Sequence, residues 1–290
     1  MIKNMEEFQQ LLKEHRSYEL CDWAAKHGRL DVLQRAREKR YPWSTWTCTC
    51  AAENGHLHVL QSLIEHGCPW DRWTCAYAAR SGHLHILKWA REHGCPWDAL
   101  TCTYAALGGH LNILQWARVH NCDWNESTCT NAASNGHLHI LQWVREQGCP
   151  WSESTCTHAA AGGHLHILQW ARGHGCPWDE STCSNAAWEG HLNILQWARA
   201  HGCPWDEWTC DRAAENGHLH VLQWALENNC PIVPDTEVVF SNRHFTAASK
   251  LLRRNIFEKQ DEVERWIKTV DEACNTLTYN DLSKLIKSFI

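Results

Sequence analysis

Apolar positions along this chain fall into two alternating patterns. In Cys210-Asp211-Arg212-Ala213-Ala214, small residues stand at i, i+3 and i+4, a spacing that predicts a helix with one narrow small-residue face. In His218-Leu219-His220-Val221-Leu222-Gln223-Trp224-Ala225, Leu219 and Leu222 with Val221, Trp224 and Ala225 predict a second helix with a buried stripe. Asp206 precedes the first helix as an N-cap, and Asp or Ser holds that place in most copies. Asn216-Gly217 ends it, Gly being suited to the left-handed residue beyond a helix end. Gly-Cys-Pro-Trp ends the second helix in most copies, where Gly then Pro prevents continuation. The unit is helix-turn-helix-loop.

That unit recurs every 27 residues without insertion or deletion. Cys48, Cys75, Cys102, Cys129, Cys156, Cys183 and Cys210 form one register, and Cys68 to Cys230 in the same steps a second. His56 to His218 form a third, and Trp43 to Trp205 a fourth. A fifth runs from Trp89 to Trp224, with Ser62 in its first place. One step back from Cys48 lies Cys21, with Ala24-Ala25 and Gly28-Arg29-Leu30 after it, so an eighth, N-terminal copy spans roughly 17–43. Neither helix can bury its apolar face alone, so the copies must stack, and residues repeated in every copy are packing residues. Ser62-Leu63 stands where later copies have Trp-Ala, a small-large pair for a large-small one, which predicts volume compensation at one packed site.

These residues resemble the ankyrin repeat. Ala51-Ala52-Glu53-Asn54-Gly55-His56-Leu57 is similar to the family's A-A-x-x-G-H-L signature, and Ile64-Glu65-His66-Gly67 to its L-x-x-G. Thr47-Cys48-Thr49-Cys50 stands in place of Thr-Pro-Leu-His, and the period is shorter than the family's ~33 residues. The missing residues fall where ankyrins project a β-hairpin. The array is similar to the short Trp- and Cys-rich ankyrin-like repeats of giant DNA viruses and some protists. The resemblance implies an all-α, ankyrin-like helix-turn-helix solenoid of about eight copies with its β-hairpins lost, working as a protein-interaction scaffold.

The ends depart from the pattern, as solenoid caps must. Residues 1–16 are expected to form an N-terminal capping helix, with Met5, Phe8 and Leu12 in one stripe. The array is expected over 17–230, and a degenerate repeat with a C-terminal helical cap over 231–290. The last segment reads as a cap or as a docking element for another protein.

Comparison between copies separates scaffold from variable positions. Three variable registers lie on the first helix: Glu19, Trp46, Trp73, Leu100, Ser127, Ser154, Ser181, Trp208; then Trp23, Cys50, Tyr77, Tyr104, Asn131, His158, Asn185, Arg212; then Lys26, Glu53, Arg80, Leu107, Ser134, Ala161, Trp188, Glu215. They stand at i, i+4 and i+7 and share one helix face. In ankyrin-like arrays that face is concave. Trp, Tyr and Arg are the usual anchors of protein interfaces. Trp23, Trp46, Trp73, Tyr77, Tyr104, Leu107, His158, Trp188, Trp208 and Arg212 are therefore the candidate partner-binding residues, with Cys50 on the same face.

Composition looks at first like a site: 17 Cys, 19 Trp and 21 His. The period absorbs most of it, leaving six Trp and two Cys outside the registers. Zinc wants four close ligands, typically in tight local pairs. Cys68 and Cys75 have Pro69-Trp70 between them and too long a spacer, and Asn112 and Asn193 replace the second His of His-x-His in two copies. The His after Gly is expected to tie the interhelical turn by a hydrogen bond, and the Cys to pack as small apolar residues. No G-x-S-x-G, H-E-x-x-H or phosphate loop occurs. The reading is non-enzymatic, with no cofactor and no metal; a zinc- or redox-responsive protein and a structural component stacking end to end are the alternatives. A net charge of −6 argues against nucleic acid as the partner. The odd cysteine count forbids full pairing. The N-terminus has no signal-like apolar run, and no stretch approaches a membrane span. A monomeric cytoplasmic protein is expected, in the host cytoplasm if the source is viral, bound to another protein and not to a membrane.

Overall fold

The computed structural model describes Gln10 and residues 17–232. Among the described residues there are sixteen helices and no strand. The helices expected to cap the array over 1–16 and 231–290 lie outside them, Gln10, Pro231 and Ile232 apart. Counted in steps of 27 from residue 17, each of eight copies contributes two helices, such as Thr45–Glu53 with Leu57–Glu65 and Arg72–Arg80 with Leu84–Glu92. The array ends with Glu207–Glu215 and Leu219–Glu227.

First helices begin on a polar residue in extended backbone. Ser44, Asp71, Asp98, Asn125 and Asp179 each accept a hydrogen bond from the N–H two residues on, as in Asp98 with Leu100 at 2.9 Å. Ser152 and Asp206 hold the same place without that bond, so the Asp206 cap is one of position only. Helices of both kinds close in the same way. Gly55 N–H donates to Ala52 O and His56 N–H to Ala51 O; Gly67 N–H donates to Ile64 O and Cys68 N–H to Leu63 O. This arrangement places the glycine at positive φ, +81° at Gly55 and +77° at Gly67.

The buried face of each first helix is Thr, Cys and Ala. Thr47, Cys48, Ala51 and Ala52 are fully buried, as are their equivalents down the array. Side chains this small let backbones approach, and each first helix packs directly on the first helices before and after it. Second helices lean on their own first helix and touch one another far less. The first helices therefore form the tight column of the array. Second helices bury the large aliphatics: Leu60, Ile86, Leu87, Ile113 and Leu114 are fully buried, each worth about 1.5–3 kcal/mol of transfer free energy.

The tryptophan registers pack as a ladder across the copies. Trp97 lies edge-on to Trp116 of the next copy, with ring centres 5.7 Å apart, and the same pair recurs from Trp70–Trp89 to Trp205–Trp224. An arginine covers the other face of most loop tryptophans: Arg91 over Trp97 at 4.3 Å, Arg145 over Trp151 at 4.0 Å. The same guanidinium donates to the carbonyl of the following loop cysteine, as Arg118 does to Cys122 at 2.6 Å. This arginine register is invisible as an apolar pattern, and sequence reading passed over it.

Two packing expectations are corrected. The histidine after Gly stands at the N-cap of the second helix, but its ring makes no cap bond there. It reaches back to the preceding copy: His83 Nε2 lies 3.1 Å from Glu53 O and His110 Nε2 3.0 Å from Arg80 O. A carbonyl only accepts, so Nε2 carries the proton. The bond ties copy to copy rather than closing a turn. Nor do Ser62 and Leu63 compensate at one site. Leu63 points into the core and is 1% exposed. Ser62 stands in the half-buried row that lies against the loop tryptophans, so Trp43 has no indole from the next copy beside it where Trp70 has Trp89.

Candidate partner-binding face

The variable registers project from the column of first helices, and the structure sorts them into two aromatic clusters. The first spans copies two to four. Trp46 meets Tyr77 edge-on at 5.5 Å, Trp73 lies 5.9 Å from Tyr104, and Tyr77 5.4 Å from Tyr104. These rings, with Thr45, Thr49 and Asp71, line a groove of about 190 Å³. Each contact crosses a boundary between copies because positions i and i+4 on one first helix stand beside those on the next. Arg80 lies over the Tyr77 ring at 5.8 Å and 4.0 Å from Glu53; Arg72 lies over Trp73 at 5.7 Å and pairs with Asp98 at 3.0 Å. Burial, with the Tyr104 phenol beside it, raises the Tyr77 hydroxyl above its ordinary range. Arg72 falls in none of the three registers, so comparison of copies could not have found it.

The second cluster sits in copies seven and eight. Arg212 lies over the Trp188 ring at 5.4 Å, and Trp208 stands one turn before Arg212 on the same helix. Trp188 and Trp208 are 38% and 56% exposed, and Trp46 46%; with Val119 they are the exposed large hydrophobic residues among those described. Three of those four belong to the candidate face.

The other candidates fall elsewhere. Trp23, half-buried in copy one, stacks on His27 at 4.4 Å. Leu107, half-buried, lies between the clusters, and its carbonyl faces His137 Nε2 at 3.3 Å. His158 is exposed, with Nδ1 2.8 Å from Ser154 O one turn back. Cys50 does not join the face: it is 6% exposed, because a side chain that short cannot clear its neighbours as Tyr77 and Tyr104 do.

The cysteines pair differently from their order in sequence. The near neighbour of Cys48 is Cys68, twenty residues on in the same copy, and not Cys75. The pairing repeats as Cys75 with Cys95, Cys102 with Cys122, and onward. The loop thiol donates to the carbonyl of the first-helix cap, Cys95 Sγ to Asp71 O at 3.4 Å and Cys122 Sγ to Asp98 O at 3.3 Å. The first-helix thiol is held above its usual range by the partner sulfur and by burial. All sixteen described cysteines are free and buried. Among the described residues no three His, Cys, Asp or Glu side chains come together as metal ligands, and no helix is long and apolar enough to cross a membrane.

No curated protein sequence matches this chain. Among solved structures, the ankyrin repeat domain of human ASB11 is similar at 14% identity and a TM-score of 0.44, over 54% of this chain and 84% of that one. The family described as ankyrin repeats (many copies) matches residues 48–91 and 75–118. The copies on either side repeat the same buried positions and backbone hydrogen bonds at the same period, and the array is similar to ankyrin repeats over residues 48–118.

Proposed function

We propose that this chain is a non-enzymatic scaffold that binds another protein on the face of its first helices. One observation carries the reading: the exposed large hydrophobic side chains gather on that face at positions the repeat does not require. Trp46, Trp188 and Trp208 leave apolar area in water while equivalent positions in other copies carry Ser. Ankyrin repeats generally mediate protein–protein interaction. A stacked array loses little ordering entropy when a partner binds, so apolar contact there converts efficiently to affinity. The anchors are Trp46, Trp73, Tyr77 and Tyr104 at one end and Trp188, Trp208 and Arg212 at the other, with Trp23, Leu107 and His158 along the same column.

The test is cross-linking and affinity capture from the native cell, using the full chain and its Trp208→Ala variant. A protein captured by the first and lost by the second, with both arrays equally folded, supports the face. Equal capture by both places the interface elsewhere.

A further inference from the structure

The break in the tryptophan ladder leaves a notch between copies one and two. It has a volume of about 290 Å³, and its lining includes Leu33 and Leu63 as floor and Trp43, Ser62 and His66 as walls. It lies on the second-helix side, away from the aromatic face. The chain supplies its own comparison in the equivalent groove between copies five and six, where Trp151, Trp170 and His174 stand in place of Trp43, Ser62 and His66. Volume does not set the two apart, since the second groove measures about 440 Å³. The floor does. With the Trp170 indole in place, the leucine and alanine beneath it do not line the groove; with Ser62 in place, Leu33 and Leu63 border the notch, although only 3% and 1% of them is exposed before a ligand enters.

The surroundings that receive an indole elsewhere persist here. In the intact copies each ring packs across the preceding loop tryptophan, Trp170 against Trp151 at 6.0 Å, and in the copies with a histidine one turn later it also packs on that ring, Trp170 on His174 at 4.3 Å. At the notch Trp43 is held in place by Arg37 over its ring at 4.4 Å, and Arg37 also donates to His66 O at 3.2 Å. The His66 ring is fixed by Nδ1, 2.8 Å from Ser62 O, the same bond His174 makes to Trp170 O. An edge-on wall, a ring to stack on and an aliphatic floor are thus in position, with no indole among them.

We propose that this notch is a binding site for an indole ring. The apolar floor takes the benzenoid edge, Trp43 and His66 set the plane of the ring, and the Ser62 hydroxyl is an acceptor at the rim for its N–H. A ligand of indole's size filling such a site should bind with a Kd of about a millimolar or tighter.

The experiment titrates the full chain with indole and, separately, with N-acetyl-L-tryptophanamide, by calorimetry and ligand-observed NMR. Nineteen native tryptophans mask a fluorescence signal. The decisive variant is Ser62→Trp/Leu63→Ala, which restores the Trp-Ala pair of the other copies. The double variant should bind either probe at least about tenfold more weakly and melt at a higher temperature, because its own indole occupies the notch. Binding of both probes by the native chain identifies a socket for a tryptophan side chain; binding of indole alone identifies one for a free indole compound. Absence of binding by either probe at a few millimolar, or binding unchanged in the double variant, overturns the proposal.

Discussion

His110 lies directly over Gly82: a Cβ added to Gly82 would stand 2.7 Å from His110 Cε1, while His110 Nε2 lies 3.0 Å from Arg80 O. Gly82 therefore serves two ends, a left-handed backbone at φ +83° and room for the ring of the next copy. Gly94 has almost the same backbone, φ +82°, with nothing within 4 Å of its missing Cβ. Gly94→Ala should cost about 1–2 kcal/mol, the penalty of an L residue in left-handed backbone. Gly82→Ala should cost clearly more, because the ring must also move and lose its bond. Urea denaturation of both variants checks this, and equal losses would show that the histidine does not depend on that approach.

The same backbone argument runs in reverse at three places. Arg40, Asn121 and Asn229 hold positive φ, +58°, +58° and +61°, where other copies have Gly. Arg40→Gly should raise stability by about 1 kcal/mol, and Asn121→Gly by less, since Asn tolerates that region better. Thermal melts of the two variants give the order directly.

Acid should loosen the array. Burial lowers the pKa of His83, His137 and His164 below the ordinary 6.5. The unfolded chain then takes up protons before the folded one. Their contribution to stability is complete above 6.5 and is lost as pH falls through the lowered folded values. Asp22, Asp206 and Asp211 are shifted the other way, raised chiefly by burial, so their protonation favours the folded state, but lower, from the carboxylate range. The first step down from neutral should therefore reduce the urea midpoint. A midpoint that is flat or rising from pH 7.5 to below 6.5 would contradict the buried neutral histidines.

The paired thiols should be inert in the folded array. Burial raises Cys21 to about 11 and Cys50 to about 12, and the first-helix thiols such as Cys102 are held up by the partner sulfur and by burial. A thiol that is neither ionised nor exposed does not alkylate. Iodoacetamide at mildly alkaline pH should leave Cys21, Cys50 and the first-helix thiols such as Cys102 and Cys129 unmodified until denaturant is added, as peptide mass mapping would show. Rapid labelling of Cys102 or Cys129 in the native protein would mean the copies open at that point.

Much of this was legible in the sequence because a repeat reports the same constraint eight times. The small face of Cys48, Ala51 and Ala52, the stripe of Leu60 and Leu63, and the Gly55 and Gly67 stops all follow from local spacing. What local spacing cannot reach is the partner across a boundary. His83 and Glu53 are thirty residues apart, and their nearness depends on how one copy rotates onto the next; Cys48 and Cys68 share a copy but lie twenty residues apart, too far for local helix spacing to join them. Ser62-Leu63 misled for a related reason: adjacent residues on a helix point about 100° apart, so one volume cannot repay the other. Cys50 shows the limit of reading a face from periodicity, since reach depends on side-chain length as well as direction.

Two variants on neighbouring helices divide core from face. Leu222, on Leu219–Glu227, is fully buried, and Leu222→Ala should cost about 2–5 kcal/mol as a cavity in a packed core. Trp208, on Glu207–Glu215, is 56% exposed, and Trp208→Ala should change the melting temperature little while weakening capture of a partner. Trp46→Ala with Trp73→Ala is a less clean probe than the registers alone imply, because these rings also pack on Tyr77 and Tyr104. That double variant should lose about 0.5–1.5 kcal/mol per ring contact removed as well as binding. A Trp208→Ala array that melts as early as Leu222→Ala would make Trp208 a packing residue and remove one anchor from the proposed face.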